Sequence, residues 1–128
     1  MKVEYRNNGY IVGVDEAGRG AWAGPLVVCA FAAPKDWMAP WVKDSKKYSK
    51  REQRQKVVDY LRGLENAYWC LQWVDPSEID ERGLDFCHRE ALRASVDVMY
   101  HMMNNDNPGY PERIIIDGAN YQDRKSVV

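Results

Sequence analysis

Ile11-Val-Gly-Val-Asp15-Glu16-Ala-Gly18-Arg19-Gly20 joins an apolar run to two acids and a turn that is rich in glycine. The apolar run predicts a buried strand over residues 10 to 15. If the strand continued, neighbouring side chains would point to opposite faces of the sheet, and the two acids would not share one site. Gly18 and Gly20 indicate instead that the strand ends at the acids and that the backbone turns there. In that geometry the Asp15 and Glu16 carboxylates converge at a strand end.

The rest of the chain predicts strands and helices in an order that is typical of a mixed α/β domain. Further strands are predicted over residues 25 to 33, 67 to 74 and 113 to 117. The first of these should be central, because both of its faces are apolar. A helix is predicted to start at the capping-box pattern of Ser49 and Glu52. Pro76 predicts the first position of another helix.

A longer helix is predicted between a break at Gly83 and about residue 103. Its apolar side is predicted from residues at helical spacing, which are Leu84, Cys87, Ala91, Ala94, Val98 and Met102. The two histidines, His88 and His101, are interpreted as surface or boundary residues. We expect no thiol nucleophile with its own base at Cys87 and His88, because consecutive helix positions point in different directions.

A third acid, Asp117, follows the last predicted strand, as Asp15 and Glu16 follow the first. Apolar isoleucines precede Asp117, and Gly118 comes next. If the two strands are parallel neighbours, their carboxyl ends lie side by side, at the edge where α/β sheets bind ligands. Clustered carboxylates repel one another, and hard oxygen ligands select Mg²⁺ or Mn²⁺. Such cations, usually in pairs, catalyse phosphodiester hydrolysis. The alternative is that one aspartate caps a turn and the other acids are solvated.

A basic segment lies before and within the first predicted helix. Residues 43 to 56 hold seven lysines and arginines against two acids, although the net charge of the whole chain is −1. Candidate contacts to phosphates near a metal site are Lys43, Ser45, Lys46 and Lys47. The alternative interpretation of the same residues is a solvated helix start.

The length of 128 residues predicts a single domain that covers residues 1 to 128. No apolar run approaches the ~18 residues of a membrane span, so no membrane partner is expected. The amino terminus has no apolar core of a signal peptide. The three cysteines have no CxxC spacing, which predicts buried thiols in a reducing cytoplasm.

Four blocks of the sequence resemble, in order, the motifs of ribonuclease HII, the type 2 ribonucleases H. They are Asp15-Glu16-Ala-Gly18-Arg19-Gly20 followed by Gly24-Pro25, then Lys43-Asp44-Ser45-Lys46-Lys47-Tyr48-Ser49, then Glu78-Ile79-Asp80 with a helix that contains Ala91, and Ile114-Ile-Ile-Asp117-Gly118. Tyr48 stands where the family usually has leucine, and Gly83 stands where asparagine is expected.

The resemblance implies a ribonuclease H-like mixed sheet flanked by helices, and a metal-dependent endonuclease with Mg²⁺ or Mn²⁺ as cofactor. The implied substrates are RNA in RNA–DNA hybrids and ribonucleotides embedded in duplex DNA. By resemblance, the metal ligands and catalytic residues are Asp15, Glu16 and Asp117. Gly18, Arg19 and Gly20 would read the ribose 2′-hydroxyl, and Ser45, Lys46 and Lys47 would lie along the nucleic-acid backbone.

The sequence departs from the family pattern at Val127 and Val128. The family continues there with Lys-Gly-Asp, whose aspartate is the fourth catalytic carboxylate, so the chain is expected to lack the family's C-terminal third. Asp123 does not match the family spacing. Three hypotheses stay open. The chain is a nuclease whose fourth carboxylate comes from Asp123, a homodimer mate or a complementing chain; a non-catalytic binder of RNA–DNA hybrids; or an inactive fragment that needs a complementary chain.

Overall fold

The computed structural model describes residues 9–17, 24–37, 48–106 and 111–116. The elements within these ranges follow the predicted order of strands and helices. They are β1 (Tyr10–Ala17), β2 (Leu26–Pro34), α1 (Arg51–Arg62), β3 (Tyr68–Val74), α2 (Pro76–Arg82), α3 (Leu84–Asn105) and β4 (Arg113–Ile116). The predicted mixed α/β class is therefore confirmed.

The strands form one four-stranded sheet in the order β3-β2-β1-β4. β2 runs antiparallel to both of its neighbours, so the central position predicted from its two apolar faces is confirmed. β4 runs parallel to β1, with Val14 paired to Ile116. The two strands that precede the predicted acids are therefore parallel neighbours, as the sequence argument required.

Helix α3 covers one face of the sheet, and the core lies between the two layers. Alternate residues of β1 and β2 point into this core, as the pleat of a strand requires. They are Val12, Val14, Leu26, Val28, Ala30 and Ala32. Full burial of a Val, Leu or Met side chain contributes about 1.5–3 kcal/mol, so this layer supplies much of the stability of the fold.

The side of α3 that packs on the sheet is displaced from the predicted one. The buried residues are Cys87, His88, Ala91, Leu92, Ser95, Val96, Met99 and Met103. Cys87 and Ala91 are buried as predicted, whereas Leu84, Val98 and Met102 are only partly buried against the core. Because one residue turns the helix by about 100°, a small error of phase exchanges core and boundary positions. The prediction that His88 lies at the surface or boundary was wrong for this reason.

The start of α1, the start of α2 and the junction at Gly83 can be compared with the helix boundaries that the sequence predicts. The predicted capping box at Ser49 was wrong, because α1 has Lys50 as its N-cap and no side-chain cap bond. α2 begins at Pro76 as predicted. Gly83 separates α2 from α3 with φ of +91° and ψ of 148°, so the predicted break is confirmed.

Within the described ranges, the opposite face of the sheet is covered less completely. Residues of α1, β2 and β3 line an open apolar cavity of about 220 Å³ there. On the edge strand β3, Leu71 and Trp73 remain 49% and 64% exposed on this face. Within the described ranges, no helix combines the length and the apolar character that crossing a bilayer requires.

Candidate active site

Strand β1 does not end at the acids. It continues to Ala17, and its last three residues pair with residues 27 to 29 of β2. The prediction that the strand ends at residue 15 was wrong, because cross-strand pairing carries it past both acids. Successive side chains of a strand alternate between faces, so Asp15 and Glu16 leave β1 on opposite sides of the sheet.

The Glu16 side chain points towards α3, on the face that also carries Val12 and Val14. Its Oε2 atom lies 3.5 Å from Nε2 of His88. The Glu16 and His88 side chains are only 14% and 5% exposed. This contact joins the end of β1 to the N-terminal part of α3 and places one predicted catalytic carboxylate in a largely water-shielded position.

The Asp15 carboxylate lies on the other face, where Cys29 is its cross-strand partner. Asp15 Oδ1 accepts a hydrogen bond of 2.8 Å from the backbone N–H of Glu16, which orients the carboxylate. Burial is the main cause that raises the pKa of the Cys29 thiol, and repulsion from Cys70 and Asp15 raises it further. A thiol with a raised pKa is neutral near pH 7, so Cys29 adds no charge beside Asp15.

The pairing of β4 with β1 ends where the predicted acids begin. Val14 and Ile116 are the last residues paired in this parallel ladder, and Asp15 and Asp117 follow them in the sequence. Asp117 lies outside the described residues, so its position beside Asp15 stays a prediction.

The predicted substrate contacts also lie outside the described residues. They are Gly18, Arg19, Gly20, Lys43, Ser45, Lys46 and Lys47, and Asp123 lies outside as well. Their roles stay predictions. The last pair of the described β1–β2 ladder, Ala17 with Val27, lies at the end of the sheet that carries Asp15 and Glu16, and Gly18 is the next residue in the sequence.

The predicted convergence of the Asp15 and Glu16 carboxylates is not seen, because the two side chains leave β1 on opposite faces of the sheet. Their donor atoms nevertheless fit a hard divalent cation. Asp15 and Glu16 offer carboxylate oxygens, the ligands that Mg²⁺ and Mn²⁺ prefer. A partly buried carboxylate such as Glu16 is also stabilised by a nearby positive charge. Among the residues that the structure describes, no three metal-ligating side chains come together, and Asp117, the third predicted ligand, is not one of those residues.

His88 is the residue at this site that sequence reasoning missed. A signal was present, because His88 shares its helical spacing with the bulky residues Leu92, Met99 and Met103. The predicted stripe followed a set that includes the smaller residues Ala91 and Ala94.

The cysteines are free thiols. Cys70 and Cys87 are buried as predicted, whereas Cys29 is only half-buried and lines the cavity beneath α1. Cys87 Sγ lies 3.7 Å from the Glu78 carbonyl oxygen in α2, while His88 faces β1. The two neighbouring side chains therefore point in different directions.

The sequence of the chain is similar to those of known proteins. The model of the family described as Ribonuclease HII matches residues 12–125. A Ribonuclease HII from Oceanobacillus iheyensis is 34% identical over 119 residues, which cover 92% of this chain and 42% of the relative. A Ribonuclease HII from Porphyromonas gingivalis is 38% identical over 109 residues, which cover 85% of this chain and 49% of the relative.

Solved structures share the fold. The ribonuclease H2 from Pyrococcus horikoshii has a TM-score of 0.66 at 29% identity, covering 92% of this chain and 55% of that one. A Bst-RNase HIII in complex with Mn²⁺ has a TM-score of 0.65 at 24% identity, covering 91% of this chain and 39% of that one. The predicted ribonuclease H-like fold is thus confirmed. The chain spans about half the length, or less, of these curated relatives. Since the family model matches most of its residues, the chain belongs to the ribonuclease HII family.

Proposed function

We propose that this chain is a metal-dependent endoribonuclease that cleaves RNA in RNA–DNA hybrids and at ribonucleotides embedded in duplex DNA. The observation that carries the proposal is the parallel pairing of β1 with β4, which ends at Val14 and Ile116. The next residues in the sequence are Asp15 and Asp117. Family membership and the carboxylate donors at the end of β1 support the same function, with Mg²⁺ or Mn²⁺ as cofactor.

The residues that would hold the cations are Asp15, Glu16 and Asp117. The chemistry that a pair of such cations supplies when bound is activation of an attacking water and stabilisation of the leaving oxygen. Asp15 is exposed and already oriented by the N–H of Glu16. A ligand that is oriented in advance loses less conformational freedom on binding.

Glu16 differs from Asp15 in its exposure to water. Its side chain is held against α3 and is largely shielded from water. Charges interact more strongly where the local dielectric constant is low. We therefore propose that Glu16 supplies the less hydrated carboxylate of the site, and Asp15 the carboxylate that solvent and substrate reach first.

Substrate recognition is proposed for the segments on either side of β2 in the sequence. The glycine segment follows Ala17 in the sequence, and Ala17 lies at the end of the sheet that carries the acids. A backbone without side chains can approach a sugar closely. The ribose 2′-hydroxyl is the group that distinguishes RNA from DNA. The proposed readers of this hydroxyl are Gly18, Arg19 and Gly20, and the proposed phosphate contacts are Lys43, Ser45, Lys46 and Lys47.

The test is cleavage of two substrates, duplex DNA that carries one ribonucleotide and a long RNA–DNA hybrid, with Mg²⁺ or Mn²⁺. The unmodified chain is compared with Asp15→Asn and Asp117→Asn. We expect cleavage by the unmodified chain and a loss of roughly 100-fold or more in each variant, because metal ligation is worth several kcal/mol in the transition state. Asp97→Asn, on the exposed side of α3, is the matched control and should keep the full rate.

Other outcomes point elsewhere. Binding of either substrate without cleavage, in both metals, would reject the nuclease in favour of a non-catalytic binder. Cleavage that appears only after a downstream segment of the family is added would show that catalysis needs a complementing chain. The ratio of rates on the two substrates gives the substrate preference. The cytoplasmic location stays a prediction.

A further inference from the structure

His88 is a buried polar residue for which the proposed chemistry has no use. Its Nε2 atom has less than 1 Å² of accessible surface and no hydrogen-bond partner in the described part of the chain. Burying such a group without a partner is destabilising, because the hydrogen bonds it makes with water are lost and not replaced. Ser95, the other buried polar residue of α3, differs because its hydroxyl donates to the Ala91 carbonyl oxygen at 2.8 Å.

The imidazole faces a complementary group in the described part of the chain. Glu16 Oε2 lies 3.5 Å from His88 Nε2, somewhat longer than the ~2.7–3.2 Å of an ordinary hydrogen bond. Contacts within catalytic sites are often long in the absence of ligand and shorten in the complex. Shortening this distance by about 0.5 Å would bring the two atoms into hydrogen-bond range and give the unpartnered nitrogen an acceptor.

We infer that His88 is a positioning residue, whose Nε2–H donates to Oε2 of Glu16 and holds this carboxylate in the orientation that binds a divalent cation. The inference rests on the proposed function, in which Glu16 is a metal ligand. Carboxylates that bind metals are commonly fixed by a hydrogen bond from such an outer partner. The helix supplies the rigid support, since His88 lies on the core face of α3.

The accessibility of the atoms favours this role over direct metal ligation by His88. His88 Nε2 and Glu16 Oε2 each have less than 1 Å² of accessible surface. The Glu16 side chain as a whole is 14% exposed, so its accessible part is other than Oε2. A cation between the two buried atoms would be closed to water, whereas the remaining exposure of the Glu16 side chain lies away from this contact.

The test uses variants of similar size in the full chain. His88→Met keeps much of the side-chain volume and removes the donor. His88→Gln restores an N–H donor at a similar distance from the backbone. His101→Met is the matched control, because His101 lies on the same helix and is exposed. Mn²⁺ affinity is measured by electron paramagnetic resonance of the free ion, with circular dichroism to confirm folding.

We expect His88→Met to weaken Mn²⁺ binding about 10–100-fold, the usual effect of losing an outer partner of a metal ligand. His88→Gln and His101→Met should stay close to the unmodified chain. Unchanged affinity in a folded His88→Met variant would overturn the inference. Hyperfine coupling between Mn²⁺ and an imidazole nitrogen would overturn it too, because His88 would then be a ligand.

A second measurement needs neither metal nor activity. Long-range ¹H–¹⁵N spectra report both imidazoles of the chain, and Glu16→Gln should move the Nε2 resonance of His88 while that of His101 stays in place. A His88 resonance that does not respond overturns the inference even if His88→Met fails to fold. If the unmodified chain neither binds Mn²⁺ nor cleaves a hybrid, the proposed function fails. A response of His88 would still support its contact with Glu16.

Discussion

Replacing Gly83 by alanine tests whether the junction between α2 and α3 fixes the direction of the long helix. Gly83 has φ of +91° and ψ of 148°, a conformation essentially restricted to glycine and costing other residues about 1–3 kcal/mol. A Cβ atom added there would meet no other atom within 4 Å. The expected cost therefore comes from the backbone alone and not from a steric clash.

The backbone at this position has little freedom to relax. The Gly83 N–H donates to the Ile79 carbonyl oxygen at 2.8 Å, and the Gly83 carbonyl oxygen accepts from the Cys87 N–H at 3.1 Å. Rotating φ to a value that alanine prefers would break these bonds, each worth about 0.5–1.5 kcal/mol net. Alanine regains about 0.4–1 kcal/mol by restricting the unfolded chain. We expect Gly83→Ala to lower the free energy of unfolding by about 1–2 kcal/mol.

The assay is urea unfolding followed by circular dichroism, and Gly13→Ala is the matched control. Gly13 lies within β1, has no positive φ, and has open space where a Cβ would stand. The control should therefore be neutral or slightly stabilising. A Gly83→Ala chain as stable as the Gly13→Ala chain would refute the argument that the junction depends on a glycine conformation.

Three other perturbations have definite expected outcomes. Leu92→Ala should cost about 2–5 kcal/mol in urea unfolding because Leu92 is fully buried, whereas Leu71→Ala, at a half-exposed leucine, should cost less than about 1 kcal/mol. Burial raises the pKa of the Cys70 thiol above its ordinary value of 9.0. The Cys70 thiol therefore ionises at a lower pH in the unfolded chain than in the folded one. The stability that the neutral, buried thiol contributes is complete below about pH 9 and is lost as pH rises through the folded pKa. Cys70→Ala should flatten that loss. Mn²⁺ at a hundred times its Kd should raise the free energy of unfolding by about 2.7 kcal/mol, and the shift should vanish with EDTA and shrink in Asp15→Asn.

The parts of the fold that the sequence predicted are those set by local pattern. The apolar residues of β2 predicted its central position, and Pro76 and Gly83 predicted both ends of α2, because proline and glycine restrict the backbone directly. Both β1 and β4 run into acids in the sequence. This match indicates that the acids would lie side by side if the two strands were parallel neighbours, which they are.

The parts that could not be predicted depend on contacts between distant residues. β1 extends to Ala17 because Val27 and Val28 of β2 are available to pair, and glycines further along the sequence do not reveal where pairing stops. The burial of His88 depends on which side of α3 packs against the sheet. Because α3 carries apolar residues on two adjoining stripes, its own sequence does not decide which stripe is buried. The contact between His88 and Glu16 depends on both features together, the length of β1 and the buried side of α3, so no local pattern predicts it.

The β1–β4 ladder also has a kinetic consequence. β1 and β2 are close in the sequence and can pair early, whereas joining Val14 to Ile116 closes a loop that contains every other element of the described chain. Contacts of such high sequence separation carry a larger loop-closure entropy and slow folding. We therefore expect β4 to dock late, when folding is nearly complete. If the proposed function holds, a partly folded chain would lack the third proposed ligand and would not cut nucleic acid before β4 has docked.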